Sequence, residues 1–239
     1  SRVTSRGRRF TSSLCECIVI FPGNGPAMST ARTQHNTRQQ QRQQTRTQIL
    51  DAAIEVFARS GFEATSLAGI AARAGVKKAL VQYHFSTKEQ LWQSAASRLW
   101  TERNARLAEV MSNYSDTDAL ANMRRGFTAL LEFTRENPQW LWFMFHEAAA
   151  NGDRLQWLID EFLREDYRLG EQFVRQFQGE GQMREGSPLY LLHLISGALT
   201  YNLMVAPLTH RVTDVDLASP ESIARQVTLL QTLLAPQED

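Results

Sequence analysis

Apolar residues recur at helical spacing along most of the chain, and no stretch alternates apolar and polar positions as a half-buried strand would. The first such run predicts a helix from residue 45 to residue 60, which Gly61 is well suited to end. Thr45 and Gln48 form a capping-box pattern at its start. The apolar positions of this helix are Ile49, Leu50, Ala53, Val56 and Phe57. The same periodicity continues along the chain and predicts an all-α fold of about nine helices.

Short helical elements follow the first helix closely. A second helix fits residues 66–74, and a third fits residues 77–84 after a tight Ala74-Gly75-Val76 turn. A fourth helix begins after Ser86, which can cap the backbone while Glu89 reciprocates. Four helices in so short a stretch predict a compact N-terminal unit, which we place at residues 45–92.

Three pairs of an N-cap residue and a proline mark helix starts in the C-terminal half: Asn137-Pro138, Ser187-Pro188 and Ser219-Pro220. Proline is favourable at the first helical position because its missing N–H would have no partner there. A long helix is predicted between Asn151-Gly152 and Gly179. Its expected inward stripe consists of Leu155, Leu158, Ile159, Phe162, Leu169, Phe173 and Phe177.

The length of 239 residues exceeds one typical domain, so a second, larger unit is expected at residues 93–239. The first methionine is Met28, and a polar run rich in glutamine and arginine follows it. Residues 1–44 are therefore expected to form a disordered leader and basic arm. Within it, residues 1–27 are interpreted as a leader or upstream translation.

Charge is divided unevenly along the chain although the net charge is only +1. Residues 1–27 carry +3, residues 28–103 carry +6, and residues 104–239 carry −8. All the lysines, Lys77, Lys78 and Lys88, fall in one short stretch. This distribution predicts that the N-terminal part meets a polyanion and that the C-terminal part does not.

Composition disfavours several other classes of protein. The cysteines are Cys15 and Cys17 only, so we expect no disulfide framework and a cytoplasmic location. The five histidines are scattered, and no nucleophile or phosphate-loop motif accompanies them. We therefore expect no catalysis, no metal and no cofactor. Residues 190–206 just reach the length of a membrane span, but their polar members favour a helix buried in a bundle.

The two short helices around Gly75 have the spacing of a DNA-binding helix-turn-helix, whose second helix lies in the major groove. Val76, Val81 and Phe85 are predicted to point inward. The opposite face carries lysines that attract phosphates and a glutamine that can pair with adenine. An ordinary helical hairpin with solvated polar residues would share this turn. The predicted DNA-binding residues are Arg46, Thr65, Ser66, Lys77, Lys78, Leu80, Gln82, Tyr83, His84 and Lys88.

Four short motifs follow one another with a distinctive order and spacing: residues 61–67 (GFEATSL), Ile70-Ala71, Ala74-Gly75-Val76 and residues 83–91 (YHFSTKEQL). They resemble the DNA-binding domain of the tetracycline-repressor (TetR) family of bacterial regulators. The resemblance implies a three-helix DNA-binding domain joined through a fourth helix to a C-terminal domain for ligand binding and dimerisation. It also implies that the DNA-facing positions of the family are occupied by Lys77, Lys78, Leu80, Gln82, Tyr83, His84 and Lys88. Lys77, Ala79 and Gln82 differ from the residues usual there, so no operator sequence is implied.

The resemblance further implies that the last two long helices, residues 187–206 and 219–234, form a four-helix bundle with those of a second copy. The small residues 196–198 would permit close approach. Burial within one chain is the alternative for these helices. The apolar contacts expected across the bundle are Leu192, Ile195, Leu199, Val227, Leu230 and Leu234.

An aromatic segment at residues 140–146 suggests a pocket for a hydrophobic or aromatic effector, although plain core packing explains the same residues. The predicted ligand-binding residues are Trp140, Phe143, His146, Trp157, Phe162, Tyr201 and Asn202. The sequence thus predicts a homodimeric transcriptional repressor that such an effector releases from a palindromic, double-stranded DNA operator. The alternative is a DNA-binding protein of the same fold that is controlled by a protein partner or acts architecturally.

Overall fold

The computed structural model describes residues 29–112 and 118–236. Helices α1 to α10 span Ser29–Ser60, Leu67–Arg73, Lys78–His84, Lys88–Ser112, Ala119–Glu136, Gln139–Ala150, Asp153–Leu158, Arg164–Gly179, Pro188–Thr213 and Pro220–Leu234. A π-helical turn, Ile159–Leu163, joins α7 to α8, so these three segments form one continuous helix. Within the described ranges the predicted all-α class is confirmed. The predicted leader, residues 1–27, lies outside them.

Packing groups residues 43–239 into one compact unit, and the part of α1 up to Arg42 belongs to a separate one. Helix α1 begins at Ser29 and not near Thr45 as predicted. The reason is that residues 29–44 contain no glycine or proline and are rich in glutamine and arginine, which favour helices. Gln48 therefore does not act in a capping box. Its side-chain amide donates instead to the carbonyl of Ala74, at 2.8 Å.

Helices α2 and α3 agree with their predicted positions. The Ser66 hydroxyl caps α2 by accepting from the backbone N–H of Gly69, at 3.0 Å. Gly75 follows with φ +67°, in the left-handed region that favours glycine. Its N–H donates to Ala72, and the N–H of Val76 donates to Ala71, so the turn satisfies the last carbonyls of α2.

The cap of α4 differs from the predicted one by one residue. Thr87, not Ser86, accepts from the backbone at the helix start, through the N–H of Gln90 at 3.0 Å. The side chain of Gln90 accepts in turn from the N–H of Ser86, at 2.8 Å. Glu89, which was expected to complete the cap, is consequently available for other contacts.

Among the described residues of the unit 43–239, two hydrophobic cores are present. The first core is built from α1–α4, the end of α5, α6 and α7, and it includes Phe57, Val81, Trp92, Phe143 and Leu158. The second core is built from α5, α8, α9 and α10. The first core crosses residue 92 without interruption, so packing does not separate the unit predicted at residues 45–92 from the rest. That boundary remains a prediction.

The π turn changes which side of the long helix faces inward. Leu158 and Phe177 are fully buried, as predicted for the inward stripe, but Leu169 is 50% exposed. A π turn inserts one residue into the helical repeat and so rotates the following residues around the axis. After the turn, Val174 lies inside, whereas the periodicity of the sequence had placed Leu169 there.

The left-handed conformation of Gly75 generates a first prediction. Gly75→Ala should lower the free energy of unfolding by roughly 1 to 2 kcal/mol, because an L side chain is strained at this φ. No heavy atom lies within 4 Å of an added Cβ, so the cost comes from the backbone alone. Urea denaturation would measure it.

Gly152→Ala is the matched control, because Gly152 has φ −113° and equally open space for a Cβ. This variant should lose less stability than Gly75→Ala, because alanine is less favourable than glycine at an N-cap but meets no left-handed strain at this φ. Equal losses in both variants would contradict the assignment of strain to the Gly75 turn.

Candidate nucleic-acid interface

The polar side of α3 faces away from the body of the protein. Lys77, Lys78 and Gln82 are exposed, Tyr83 is 65% exposed, and Leu80 also reaches the surface. His84 is half-buried, with its ring edge-on to that of Tyr83. The structure therefore brings these predicted residues together on one short helix.

The opposite side of α3 is fixed by burial. Val81 is 0% exposed and Phe85 is 1% exposed, both within the first core. The guanidinium of Arg46, on α1, lies 5.0 Å from the centre of the Phe85 ring, a cation–π distance. Arg46 is thus half-buried beside the end of α3. Turning α3 to hide its polar side would expose Val81 and Phe85.

Three of the predicted DNA-binding residues have partners within the protein. Thr65 is buried, and its hydroxyl donates to the carbonyl of Gly61 at 2.7 Å. Ser66 is exposed and its hydroxyl caps α2. The ammonium of Lys88 donates to the carbonyls of Phe62 and Thr65, at 2.9 and 3.0 Å. These side chains hold the turn between α1 and α2, a use that the sequence pattern did not reveal.

The arrangement is suited to binding a polyanion. The exposed side of a short helix presents two ammonium groups beside an amide and a phenol, which can donate to phosphates and to base edges. Among the described residues, no group of three or more His, Cys, Asp or Glu side chains is placed to hold a metal ion.

Comparison with known proteins identifies relatives of the helix-turn-helix region. Residues 49–95 match the model of the family described as bacterial regulatory proteins, tetR family. This match covers the N-terminal helices of the chain, from α1 into α4. The chain is 33% identical over 98 residues to the HTH-type transcriptional regulator AcrR of Shigella flexneri, a match that covers 40% of this chain and 44% of AcrR.

Two further relatives extend the comparison. The HTH-type nicotine-responsive transcriptional repressor HdnoR of Paenarthrobacter nicotinovorans is 36% identical over 77 residues, or 32% of this chain and 40% of HdnoR. These matches span less than half the length of the curated relatives. The structure of the ketosteroid transcriptional regulator KstR2 of Mycobacterium tuberculosis is 16% identical, with a TM-score of 0.64, over 80% of this chain and 95% of that one. This likeness shows the fold.

The structure places the residues predicted to bind an effector in different surroundings. Trp140 and Phe143 are buried in the first core, and Trp157 and Phe162 pack against it. The ring nitrogen Nε2 of His146 lies 3.0 Å from the carbonyl oxygen of Ala58. On α9, Tyr201 is exposed and Asn202 is half-buried. The effector assignment stays a prediction.

A buried ion pair beside these aromatic residues was not foreseen. Arg103, on α4, is 5% exposed, and its guanidinium donates to both oxygens of Asp166, on α8, at 2.5 and 2.6 Å. The indole N–H of Trp100 donates to the same carboxylate, at 3.3 Å. The pair joins α4 to α8. No spacing in the sequence relates residues so far apart, so only the fold reveals it.

A second unforeseen ionic cluster surrounds Arg154, at the start of α7. Its side chain contacts Glu147, Glu63 and Glu89, which come from α6, the α1–α2 turn and the start of α4. Burial raises the pKa of Glu89, and the charge of Arg154 opposes that rise. The cluster lies where the N-terminal helices meet the C-terminal ones.

The residues predicted for the dimer contact are instead mostly internal. Ile195, Leu199, Val227, Leu230 and Leu234 are buried in the second core, and Leu192 packs against it. The prediction that these residues face a second copy is therefore wrong, because the helical phase turns them toward α5 and α8. Other apolar side chains are exposed on the same two helices: Tyr190, Leu194, Tyr201, Leu208 and Val212 on α9, and Leu229 and Leu233 on α10.

The contacts of Lys88 generate a second prediction. Lys88→Met should lower the free energy of unfolding by about 1 to 3 kcal/mol, because two carbonyls of the α1–α2 turn lose a charged donor. Chemical denaturation would measure the loss. Lys77→Met, a change of the same kind at an exposed position, should stay within about 0.5 kcal/mol of the parent. Similar stability of the two variants would show that the Lys88 contacts contribute little.

Proposed function

We propose that the protein is a homodimeric transcriptional repressor that binds a palindromic DNA operator through α3 and is released by a small hydrophobic or aromatic effector. The observation that carries the proposal is the exposed polar side of α3, held outward by Val81 and Phe85 in a helix-turn-helix of the tetR family. Lys77 and Lys78 would contact phosphates or guanine, and Gln82 would pair with adenine. A cytoplasmic location follows from such a partner.

The exposed apolar residues of α9 support a dimer. Tyr190, Leu194, Gly197, Tyr201 and Leu208 recur at spacings of three, four or seven residues and so follow one side of the helix. Soluble monomers rarely expose so many large apolar side chains on one element. Gly197 is exposed, with no heavy atom within 4 Å of an added Cβ, so a second helix could approach closely there.

By length and composition alone, α9 could also cross a membrane. Only 28% of its apolar window is buried within the chain, and α9 carries His193, His210 and Arg211. Pairing with a second copy accounts for the apolar side without placing these groups in hydrocarbon.

The dimer would present two α3 helices roughly 34 Å apart, the distance between successive major grooves on one side of DNA. An effector would release the operator by binding more tightly to a state with a different spacing. HdnoR is named for its response to nicotine, and KstR2 for ketosteroids, which agrees with an apolar or aromatic effector. The aromatic residues around Trp140 and Phe143 are the candidates to contact it.

Control by a protein partner, or an architectural role, is the alternative to effector sensing. A thermal-shift screen with small hydrophobic and aromatic compounds distinguishes them, because a ligand of the folded state raises the unfolding temperature by mass action. A compound that raises this temperature and also weakens DNA binding supports effector sensing. The absence of any such compound favours the alternative.

A third prediction concerns base recognition. Duplexes selected from a random library by the purified dimer should share a palindromic motif, and their affinity should fall steeply with salt. Gln82→Ala and Lys78→Ala should each weaken binding of the selected duplex by about 1 to 3 kcal/mol if the residue reads a base. Fluorescence anisotropy would measure both.

Gln172→Ala, an exposed change on α8, is the control and should bind as the parent does. Unchanged affinity in both α3 variants would remove the assignment of base contacts to Gln82 and Lys78. A parent protein that ignores duplex DNA even at low ionic strength would overturn the proposed function as a whole.

A fourth prediction concerns the dimer. Leu194→Glu should convert the protein to a monomer at micromolar concentration, because a charge would be buried in an apolar contact. Light scattering after size-exclusion chromatography would show the change in mass. Leu120→Glu, at an exposed leucine of α5, should leave the dimer intact. A parent that is itself monomeric, or a dimeric Leu194→Glu variant, would contradict a dimer contact on this side of α9.

A further inference from the structure

The corner between α6 and α7 lies against the turn that joins α1 to α2, and two polar contacts connect them. On one side, His146 of α6 lies within hydrogen-bond distance of the Ala58 carbonyl, in the last turn of α1. On the other side, Arg154 donates to the carboxylate of Glu63, at 3.1 Å. The guanidinium of Arg154 also lies 3.8 Å from the centre of the Phe62 ring. The C-terminal helices thus hold the α1–α2 turn at both ends.

Arg154 is itself held firmly from the C-terminal side. Its Nε donates to both carboxylate oxygens of Glu147, at 3.0 and 3.1 Å. Glu147 is only 2% exposed, and a buried carboxylate requires a charged partner. The contacts with Glu147 on α6 therefore hold the guanidinium in place independently of the N-terminal helices.

The same guanidinium reaches two N-terminal elements with its remaining donors. Nη2 contacts Glu63 in the α1–α2 turn, and Nη1 lies 3.9 Å from Glu89 at the start of α4. Only arginine offers donors in several directions together with a flat face that stacks on a ring. The aromatic contacts nearby, such as Phe57 with Phe143, pack the same helices together, and Arg154 adds charged contacts to the α1–α2 turn and to α4.

We propose that Arg154 is a positioning residue for DNA binding, which fixes the orientation of α1–α3 on the C-terminal body by holding Glu63, Glu89 and Phe62 from its anchor on Glu147. This inference rests on the proposed function. Two α3 helices in a dimer reach successive grooves only when each is held at a set angle. Fixing that angle before DNA arrives reduces the conformational entropy lost on binding.

A double-mutant cycle tests the proposal with the selected duplex as the probe. Arg154→Met removes the charge and its donors but keeps an unbranched apolar side chain over Phe62. Glu63→Gln removes one partner, and Glu63 has an 83% exposed side chain, so folding is not at risk. Arg154→Met should weaken DNA binding about tenfold, and the two substitutions should be coupled by at least roughly threefold.

Two additional measurements separate positioning from a general loss of stability. Met123→Ala, in the second core, should lower the unfolding temperature without changing DNA affinity at a temperature where the variant is folded. Hydrogen exchange should accelerate in residues 61–66 of Arg154→Met and not in Met123→Ala. If Arg154 only stabilised the fold, the two variants would show the same DNA affinity and the same exchange in these residues.

The outcomes are distinct from those for the proposed function. DNA binding by the parent protein tests that function alone. If the parent binds DNA and Arg154→Met binds equally well, or if the Arg154 and Glu63 effects simply add, the positioning role is overturned. A higher affinity in Arg154→Met would also overturn it, because the clamp would then hold α3 in an orientation unsuited to DNA.

Discussion

The burial of one side of α3 is the constraint on which the rest of the interface depends. A helix of seven residues is unstable in water by itself, so its apolar side must pack against other elements. Val81 and Phe85 provide that side, and their complete burial sets the rotation of the helix about its axis. Lys78 and Gln82 therefore point outward because the opposite side of α3 is buried. No contact made by these two side chains is needed to hold them there.

The same reasoning applies in reverse to α9. Burial of Ile195 and Leu199 in the second core determines which residues of this helix are left outside, and several of those are large and apolar. Core packing fixes the rotation of both helices about their axes. It thereby leaves a polar side of α3 and an apolar side of α9 exposed. Their chemistry differs, and so do the partners they suit: a polyanion for the first and another apolar surface for the second.

The sequence predicted local features well, because their causes are local. Gly75 takes a left-handed turn, and Ser219 with Pro220 begins α10, both within a few residues of the signal that predicts them. Which side of a long helix faces the core was less predictable from the sequence. One π turn was sufficient to expose Leu169, and it left no mark in the hydrophobic pattern.

Side chains with two plausible uses were the hardest to assign from sequence. Lys88 resembles a phosphate ligand in its motif, but the fold supplies two backbone carbonyls within hydrogen-bond distance. The dimer contacts were assigned to the most apolar positions of the last helices, and those positions are the ones that the protein's own core requires. In both cases a side chain could bind either within the protein or to another molecule. The distances between residues in the folded chain decide which, and the spacing of residues along the sequence does not reveal those distances.

The continuity of the first core has a consequence for regulation. Trp92, at the start of α4, stacks on Phe143 of α6 at 5.8 Å, and Phe143 meets Phe57 of α1 edge-on at 6.1 Å. Helices that would contact an effector therefore share side-chain packing with the helices that support α3. Because close-packed interiors transmit displacements, a ligand that moves α6 must also do work against the elements that orient α3. Coupling between the two ends then needs no separate linker, since it is a property of the core itself.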